Sequence, residues 1–176
     1  MRPIEDPVHE IQLLELSETT PSELLLHARD LLLEYGRFVI SQPAAARFCF
    51  GALEEEAARL PLSYREQGGG ALVGLVDGKL TGFVAWRRVP GPLVEDSWEL
   101  KRLWVRPEGR GTGLGRALTQ AVLDKAVAAG RKAVYLDTVP GAMASALRLY
   151  FAMGFVASAP YGDNPMPDLT YLVKIL

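Results

Sequence analysis

The order of elements in this sequence predicts an α/β fold, with a mixed central sheet and helices on both faces. Three observations carry that expectation. A strand-like run and two helical patterns fill the first 60 residues. Several strand-like runs follow, two of them joined through Asp77-Gly78, a favoured hairpin dipeptide. The remainder alternates strand and helix, with glycine at the junctions.

Ile11–Leu16 reads as the first short strand. Thr20-Pro21-Ser22-Glu23 combines a capping hydroxyl, proline at the first helical position and a glutamate three residues after the cap. Leu24, Ala28, Leu31, Leu32 and Tyr35 follow at helical spacing, and Gly36 is placed to end that helix. A second helix is expected from about Ala44 to Leu60, with Phe48, Ala52 and Leu53 inward and Pro61 as its stop. Glu54-Glu55-Glu56 reads as its solvated face.

Gly68-Gly69-Gly70 marks a loop, after which strands are expected at Ala71–Val76 and Leu80–Arg87. Pro90-Gly91-Pro92 breaks the chain before a third, Trp98–Val105. A glycine-rich turn leads into a helix from about Gly113 to Ala129, striped by Leu114, Ala117, Leu118, Ala121, Val122 and Ala126 and capped by Gly130. Lys132–Thr138 is the next strand and Ala142–Met153 the next helix, closed by Gly154. Phe155–Ala159 and Leu169–Leu176 are the last strands, separated by the turn-rich Tyr161–Pro167. No repeat or linker interrupts the pattern, so one domain over residues 1–176, with its core at 11–176, is expected.

Nineteen Lys and Arg against 21 Asp and Glu give a formal charge of −2, which offers no basic patch for a nucleic acid. Cys49 is the single cysteine, so an internal disulfide and a paired-cysteine metal site are both excluded. His9 and His27 make no metal-ligand spacing with it. The first ten residues are acidic rather than basic and apolar, and no run approaches the ~20 apolar residues of a membrane span. A soluble cytoplasmic protein with no membrane partner is the expectation.

Gly109, Gly111, Gly113 and Gly115 alternate across the turn between a strand and a helix. Glycines there let backbone approach a bulky anion, and the helix's first turn offers N–H groups and partial positive charge, which suits phosphate or pyrophosphate. Simple tight turns have the same composition. The dinucleotide fingerprint fails because Gly111-x-Gly113 is followed at the third position by Arg116. A P-loop fails because Gly115 is followed by Arg116-Ala117 rather than Lys and a hydroxyl residue.

The spacing that fits is R/Q-x-x-G-x-G/A, read as Arg110-x-x-Gly113-x-Gly115. The stretch Glu99–Gly115 resembles the acetyl-CoA-binding core of the GNAT superfamily of N-acetyltransferases. A second stretch, Ala146-Leu-Arg-Leu-Tyr150 through Gly154-Phe155, resembles the superfamily's downstream A-x-x-L-Y-x-x-x-G-F motif at the usual separation. Many members have asparagine seven residues before that tyrosine, where this chain has Met143. The resemblance implies a mostly antiparallel sheet splayed at the cofactor site, acetyl-CoA as acyl donor, and no metal.

Residue by residue, it implies that the backbone of Leu103 and Val105 pairs with the pantetheine amides. Backbone N–H groups of Arg110, Gly111, Thr112, Gly113, Leu114, Gly115 and Arg116 would surround the pyrophosphate, with charge added by the Arg110 and Arg116 side chains. Arg116 reads equally well as a solvated helix position. Tyr150 stands where the family carries its general acid, and Glu99 where some members carry a catalytic base.

The chemistry asks for both. Only a neutral amine attacks a thioester, and deprotonating a lysine-like amine at pH 7 costs about 4–5 kcal/mol, against about 1 kcal/mol for an α-amine. The leaving thiol has a pKa near ~8.5, so an acid accelerates its departure by roughly 10²–10⁴ at most. Glu99 has a structural alternative as the ion-pair partner of Lys101 or Arg87, and Tyr150 as a ring that packs without giving a proton.

The acceptor is expected to be a small primary amine or amino-acid-like metabolite, lined by Arg37–Pro43 and Tyr161–Pro165. Trp86, Arg87, Arg102 and Trp104 are further candidates, and strand alternation puts Arg102 and Trp104 on the face opposite Glu99. Two rivals stand beside this reading: a protein N-terminal or lysine acetyltransferase, and a non-catalytic acyl-CoA sensor. A homodimer is compatible with the resemblance, although no interface stripe is distinctive.

Overall fold

The computed structural model of the chain describes residues 8–43, 50–90, 96–139, 141, 143–162, 164 and 168–176. Its elements are β1 (Ile11–Glu15), α1 (Ser22–Ile40), α2 (Phe50–Ala58), α3 (Leu62–Arg65), β2 (Gly70–Val76), β3 (Lys79–Arg88) and β4 (Ser97–Val105). After a 3₁₀ turn at Pro107–Gly109 come α4 (Leu114–Ala128), β5 (Ala133–Thr138), α5 (Ala144–Ala152), β6 (Val156–Ala157) and β7 (Thr170–Ile175). The seven strands form one sheet in the order β1-β2-β3-β4-β5-β7-β6. Only β4 and β5 run parallel, so the sheet is mixed and mostly antiparallel.

Helices cover both faces. On one, Leu114, Leu118 and Val122 of α4, all at zero exposure, pack with Tyr150 of α5 and Met153 just beyond it against Trp86, Leu100 and Leu136 of the strands. Burying each such aliphatic side chain is worth about 1.5–3 kcal/mol, so this stripe fixes α4 to the sheet. On the other, Leu31 and Leu32 of α1 and Leu53 of α2 pack on Val73, Phe83 and Ala85. Asp77 and Gly78, with φ of 50° and 77°, make the two-residue β2–β3 turn that the dipeptide predicted.

Local expectations fail in four places. The cap of α1 is Pro21, without a side-chain bond, because Thr20 Oγ1 instead accepts from the Ser17 amide at 2.8 Å. Gly36 does not end α1, which runs on to Ile40; a Cβ there would lie 2.2 Å from Leu53 Cδ2, so its missing side chain lets α1 and α2 touch. Ala52 faces solvent rather than the core. Glu56 leaves the solvated run Glu54-Glu55 and is half-buried against Arg102. Phe48, Asp163 and Pro165 lie outside the described residues.

Candidate active site

The site begins where two strands part. β4 and β5 pair only at Ser97–Ala133, Trp98–Val134 and Glu99–Tyr135, yet β4 continues to Val105 and β5 to Thr138. Past Glu99 the facing edge of β4 therefore carries peptide groups with no strand beside them. The parting coincides with a bulge. Phe83 pairs with Trp104 but Ala85 with Lys101, so Arg102 and Leu103 together face the single residue Val84.

Arg102 takes a φ of 59°, a left-handed conformation costing a non-glycine residue about 1–2 kcal/mol. Its guanidinium is held from below: Nε and Nη2 both donate to the Glu56 carboxylate at 3.1 Å, and Cζ lies 5.6 Å from the centre of the Tyr35 ring. Tyr64 donates to Glu56 as well. The bulge resets the strand's alternation. Directly opposed residues share a face, and Trp104, Lys101 and Glu99 oppose Phe83, Ala85 and Arg87, so all three lie on the α1 side. The expectation that Trp104 and Arg102 lie opposite Glu99 is overturned for that reason. Trp86 is also no site residue, since it is buried on the α4 side beside Trp98.

A cleft of about 460 Å³ opens between the end of β4, the start of α4 and the start of α5. Leu103 and Val105 form one wall, and Arg110, Gly111, Gly113, Leu114, Gly115 and Arg116 the floor. Gly113, at φ 91°, is the residue before α4, and only glycine adopts that angle at no cost. The first-turn amides of α4 thus have no intrahelical acceptor and stand at the positive end of a 15-residue helix, which suits a diphosphate. Thr112 does not line the cleft; its hydroxyl donates to the Gly109 carbonyl at 2.7 Å and ties the turn. Arg110 Nε donates to the Val105 carbonyl at 3.0 Å while its guanidinium lies 5.3 Å from the Trp104 ring centre. Met143 and Phe38 close the remaining sides.

Two further devices were invisible in the sequence. Glu34 of α1 accepts from Arg106 at 2.7 Å and from Trp104 Nε1 at 3.3 Å, clamping α1 to the end of β4. Lys101 is largely buried, its side chain 14% exposed, and donates to Glu99 at 3.4 Å; desolvation and the Arg102 charge hold its ammonium pKa below the ordinary lysine value.

Glu99 is 3% exposed and lies outside the cleft lining. It accepts from Arg87 Nε at 2.7 Å, Lys101 Nζ at 3.4 Å and Tyr161 Oη at 3.1 Å. Burial works to raise its pKa, but the Lys101 and Arg87 charges with the Arg87 and Tyr161 hydrogen bonds win, and hold it below the ordinary 4.5. The ion pairs of the structural alternative are both present. Tyr150 is buried against Phe155, ring centres 5.5 Å apart, and burial raises its pKa, helped by the neighbouring Tyr35 and Asp137. Its hydroxyl makes no hydrogen bond to any described residue. Tyr161 rests against Tyr135 and Tyr171 at 5.0 and 5.6 Å, and Asn164 donates to Asp137 at 3.1 Å. The predicted lining segment at residues 37–43 is mostly the last turn of α1.

Among the described residues no group of His, Cys, Asp and Glu is placed to hold a metal, and no helix is long and apolar enough to cross a membrane.

The acetyltransferase (GNAT) family matches residues 27–155 of the chain. An uncharacterized N-acetyltransferase of Schizosaccharomyces pombe is 39% identical over 74 residues, covering 42% of this chain and 45% of that protein. The chain spans about half the length, or less, of the curated relatives it matches. In fold it is similar to an acetyltransferase of Staphylococcus aureus, at a TM-score of 0.71 and 15% identity over 94% of this chain and 99% of that one. It is also similar to an acetyltransferase of Salmonella typhimurium solved with its cofactor acetyl-CoA, at a TM-score of 0.62 and 19% identity over 96% and 94% of the two chains.

Proposed function

The chain belongs to the acetyltransferase (GNAT) family, and from that premise we propose that it transfers the acetyl group of acetyl-CoA to a primary amine of a small metabolite. The observation that carries the reading is the parted β4–β5 edge, which opens beside the exposed first turn of α4. Backbone of Leu103 and Val105 would take the pantetheine amides as an added strand does. Amides at Gly111 to Arg116 would take the diphosphate. Acetyl-CoA supplies a thioester there.

Tyr150 is the proposed proton donor to the departing sulfur. Burial keeps its hydroxyl protonated, so the proton is present when the thiolate forms. Glu99 is the carboxylate proposed to receive the acceptor's proton through water. Its three donors keep it ionised at neutral pH, which a proton acceptor requires, and at the same time weaken it as a base. Tyr161, which is held by Glu99, Tyr135 and Tyr171 on the acceptor side of the sheet, supports a small acceptor over a protein one.

Release of free thiol from acetyl-CoA in the presence of a panel of amines tests the reading directly. Tyr150→Phe is expected to lower turnover by roughly 10²–10⁴ and to leave the affinity for acetyl-CoA nearly unchanged. Unchanged turnover would remove Tyr150 as the acid, and absence of release with any amine would remove the transferase reading.

A further inference from the structure

Two carboxylates point to the acceptor side of the sheet, and their surroundings differ. Glu99 is saturated by Arg87, Lys101 and Tyr161. Asp137 accepts one hydrogen bond, from the neutral Asn164 amide, and forms no ion pair among the described residues.

Its position follows from register. Val134 and Leu136 of β5 point into the α4 core, so Tyr135 and Asp137 point to the α1 side. Tyr135 belongs to the last β4–β5 pair, which sets Asp137 two residues into the opened gap. Across the other edge Asp137 opposes Tyr171. Tyr161 rests on both Tyr135 and Tyr171, so three phenol rings surround the approach to this carboxylate. The Asp137 charge also bears on Tyr35 from α1, Lys101 from β4 and Tyr150 from α5. Tyr150 reaches the gap from the α4–α5 side and Asp137 from the α1 side. A half-buried anion that forms no ion pair among the described residues and feels the Lys101 charge only from beyond contact, among aromatic rings, is chemically a receptor for an ammonium group.

We propose that Asp137 is the residue that docks the acceptor, binding a protonated primary alkylamine inside the tyrosine enclosure. This deepens the transferase reading and rests on it for the transfer step alone. In that step the amine nitrogen bonds to the acetyl carbon and the carbon–sulfur bond breaks. The ammonium loses two protons overall: one leaves to solvent by way of water and Glu99, and the thiol gains one through Tyr150. Glu99, held by its two cations, keeps the role of proton acceptor and does not dock the ammonium. A cationic acceptor fits this dock better than a neutral or anionic one.

The test uses the full chain loaded with coenzyme A, and saturation-transfer NMR with n-butylammonium against the neutral match n-butanol. Wild type and Glu99→Gln should bind the ammonium and discriminate against the alcohol. Asp137→Asn, which keeps the side-chain volume and a partner for Asn164, should weaken ammonium binding about 30-fold or more, the low end of the loss when one partner of a close charge pair is removed. Asp137→Glu should restore part of it, which guards against a folding defect in the asparagine variant. With acetyl-CoA present, kcat/KM for the amine should fall by at least the same factor in Asp137→Asn, with the KM for acetyl-CoA unmoved. Equal ammonium affinity in wild type and Asp137→Asn overturns the proposal. So does loss of binding in Glu99→Gln alone, which would make Glu99 the dock. Ammonium binding that depends on Asp137 in a protein releasing no thiol would uphold the dock and refute the transferase reading.

Discussion

Replacing Glu56 with alanine takes away the carboxylate that holds Arg102 in its left-handed conformation. Both side chains are less than one-fifth exposed, at 18% and 17%, so the pair sits where removing one partner strands a charge. Loss of one member of a buried ion pair costs about 3–5 kcal/mol. Tyr64 loses its acceptor too, but Tyr35 stays beside the guanidinium, so the lower end, about 3 kcal/mol, is expected. Equilibrium urea unfolding of Glu56→Ala against Glu55→Ala measures this, because Glu55 is exposed on the same helix and its loss should stay within about 0.5 kcal/mol. A second change sharpens the test. Arg102→Gly in the Glu56→Ala background removes the stranded charge and the conformational penalty of a φ of 59°, and should recover at least about 1 kcal/mol. Functionally, Glu56→Ala should raise the KM for acetyl-CoA, since the bulge sets the aim of the β4 peptide groups. Equal stabilities of Glu55→Ala and Glu56→Ala, or no recovery in the double variant, would refute the account of the bulge as a tethered strain.

Two other outcomes follow from geometry. Because the folded Glu99 pKa lies below 4.5, its carboxylate contributes stability that is fully present above that value and is lost as pH falls through the lower folded value. Glu99→Gln should therefore melt lower than wild type at neutral pH, with the gap closing below pH 4.5; a gap independent of pH would show that Glu99 is not held by its cations. Gly113→Ala must place a side chain at a φ of 91° and should cost about 1–2 kcal/mol together with much of the acetyl-CoA affinity, whereas Gly115→Ala, inside the helix with ordinary contacts, should not destabilise the fold. Thermal melts and titration calorimetry separate the two.

The parts of the fold readable in the sequence are those set by local periodicity. The stripe on α4, the glycines beyond α4 and α5 and the Asp77-Gly78 turn follow from one chain segment at a time, and each stands as expected. Failures arose where a distant partner decides. Gly36 reads as a stop until Leu53 of another helix is placed against it. Glu56 reads as a solvated helix residue until Arg102, 46 positions away, meets it. Trp104 was put on the wrong face because alternation was counted through a bulge, and the bulge is fixed by α2 rather than by β4 itself. The cofactor turn was legible because glycine spacing is local. The acceptor side was not, since it is assembled from α1, β3, β4, β5, β7 and the segment after β6. Asp137 was nonetheless within reach: Tyr135 and Asp137 alternate with Val134 and Leu136, which is the signature of a polar strand face.

The contact from Arg110 to the Val105 carbonyl makes entry to the cleft an exchange rather than an addition. A ligand amide that takes this carbonyl along the lone pair the guanidinium uses displaces it, so the bond it forms is offset by the bond it breaks, and little net affinity arises at that atom. What the exchange does yield is a released cation on a five-residue tether from Val105, next to the floor where a diphosphate would lie. Occupying one end of the cleft thereby arms the other, and the two halves of a long donor molecule would be bound in a coupled way, each half weaker alone than its contacts suggest.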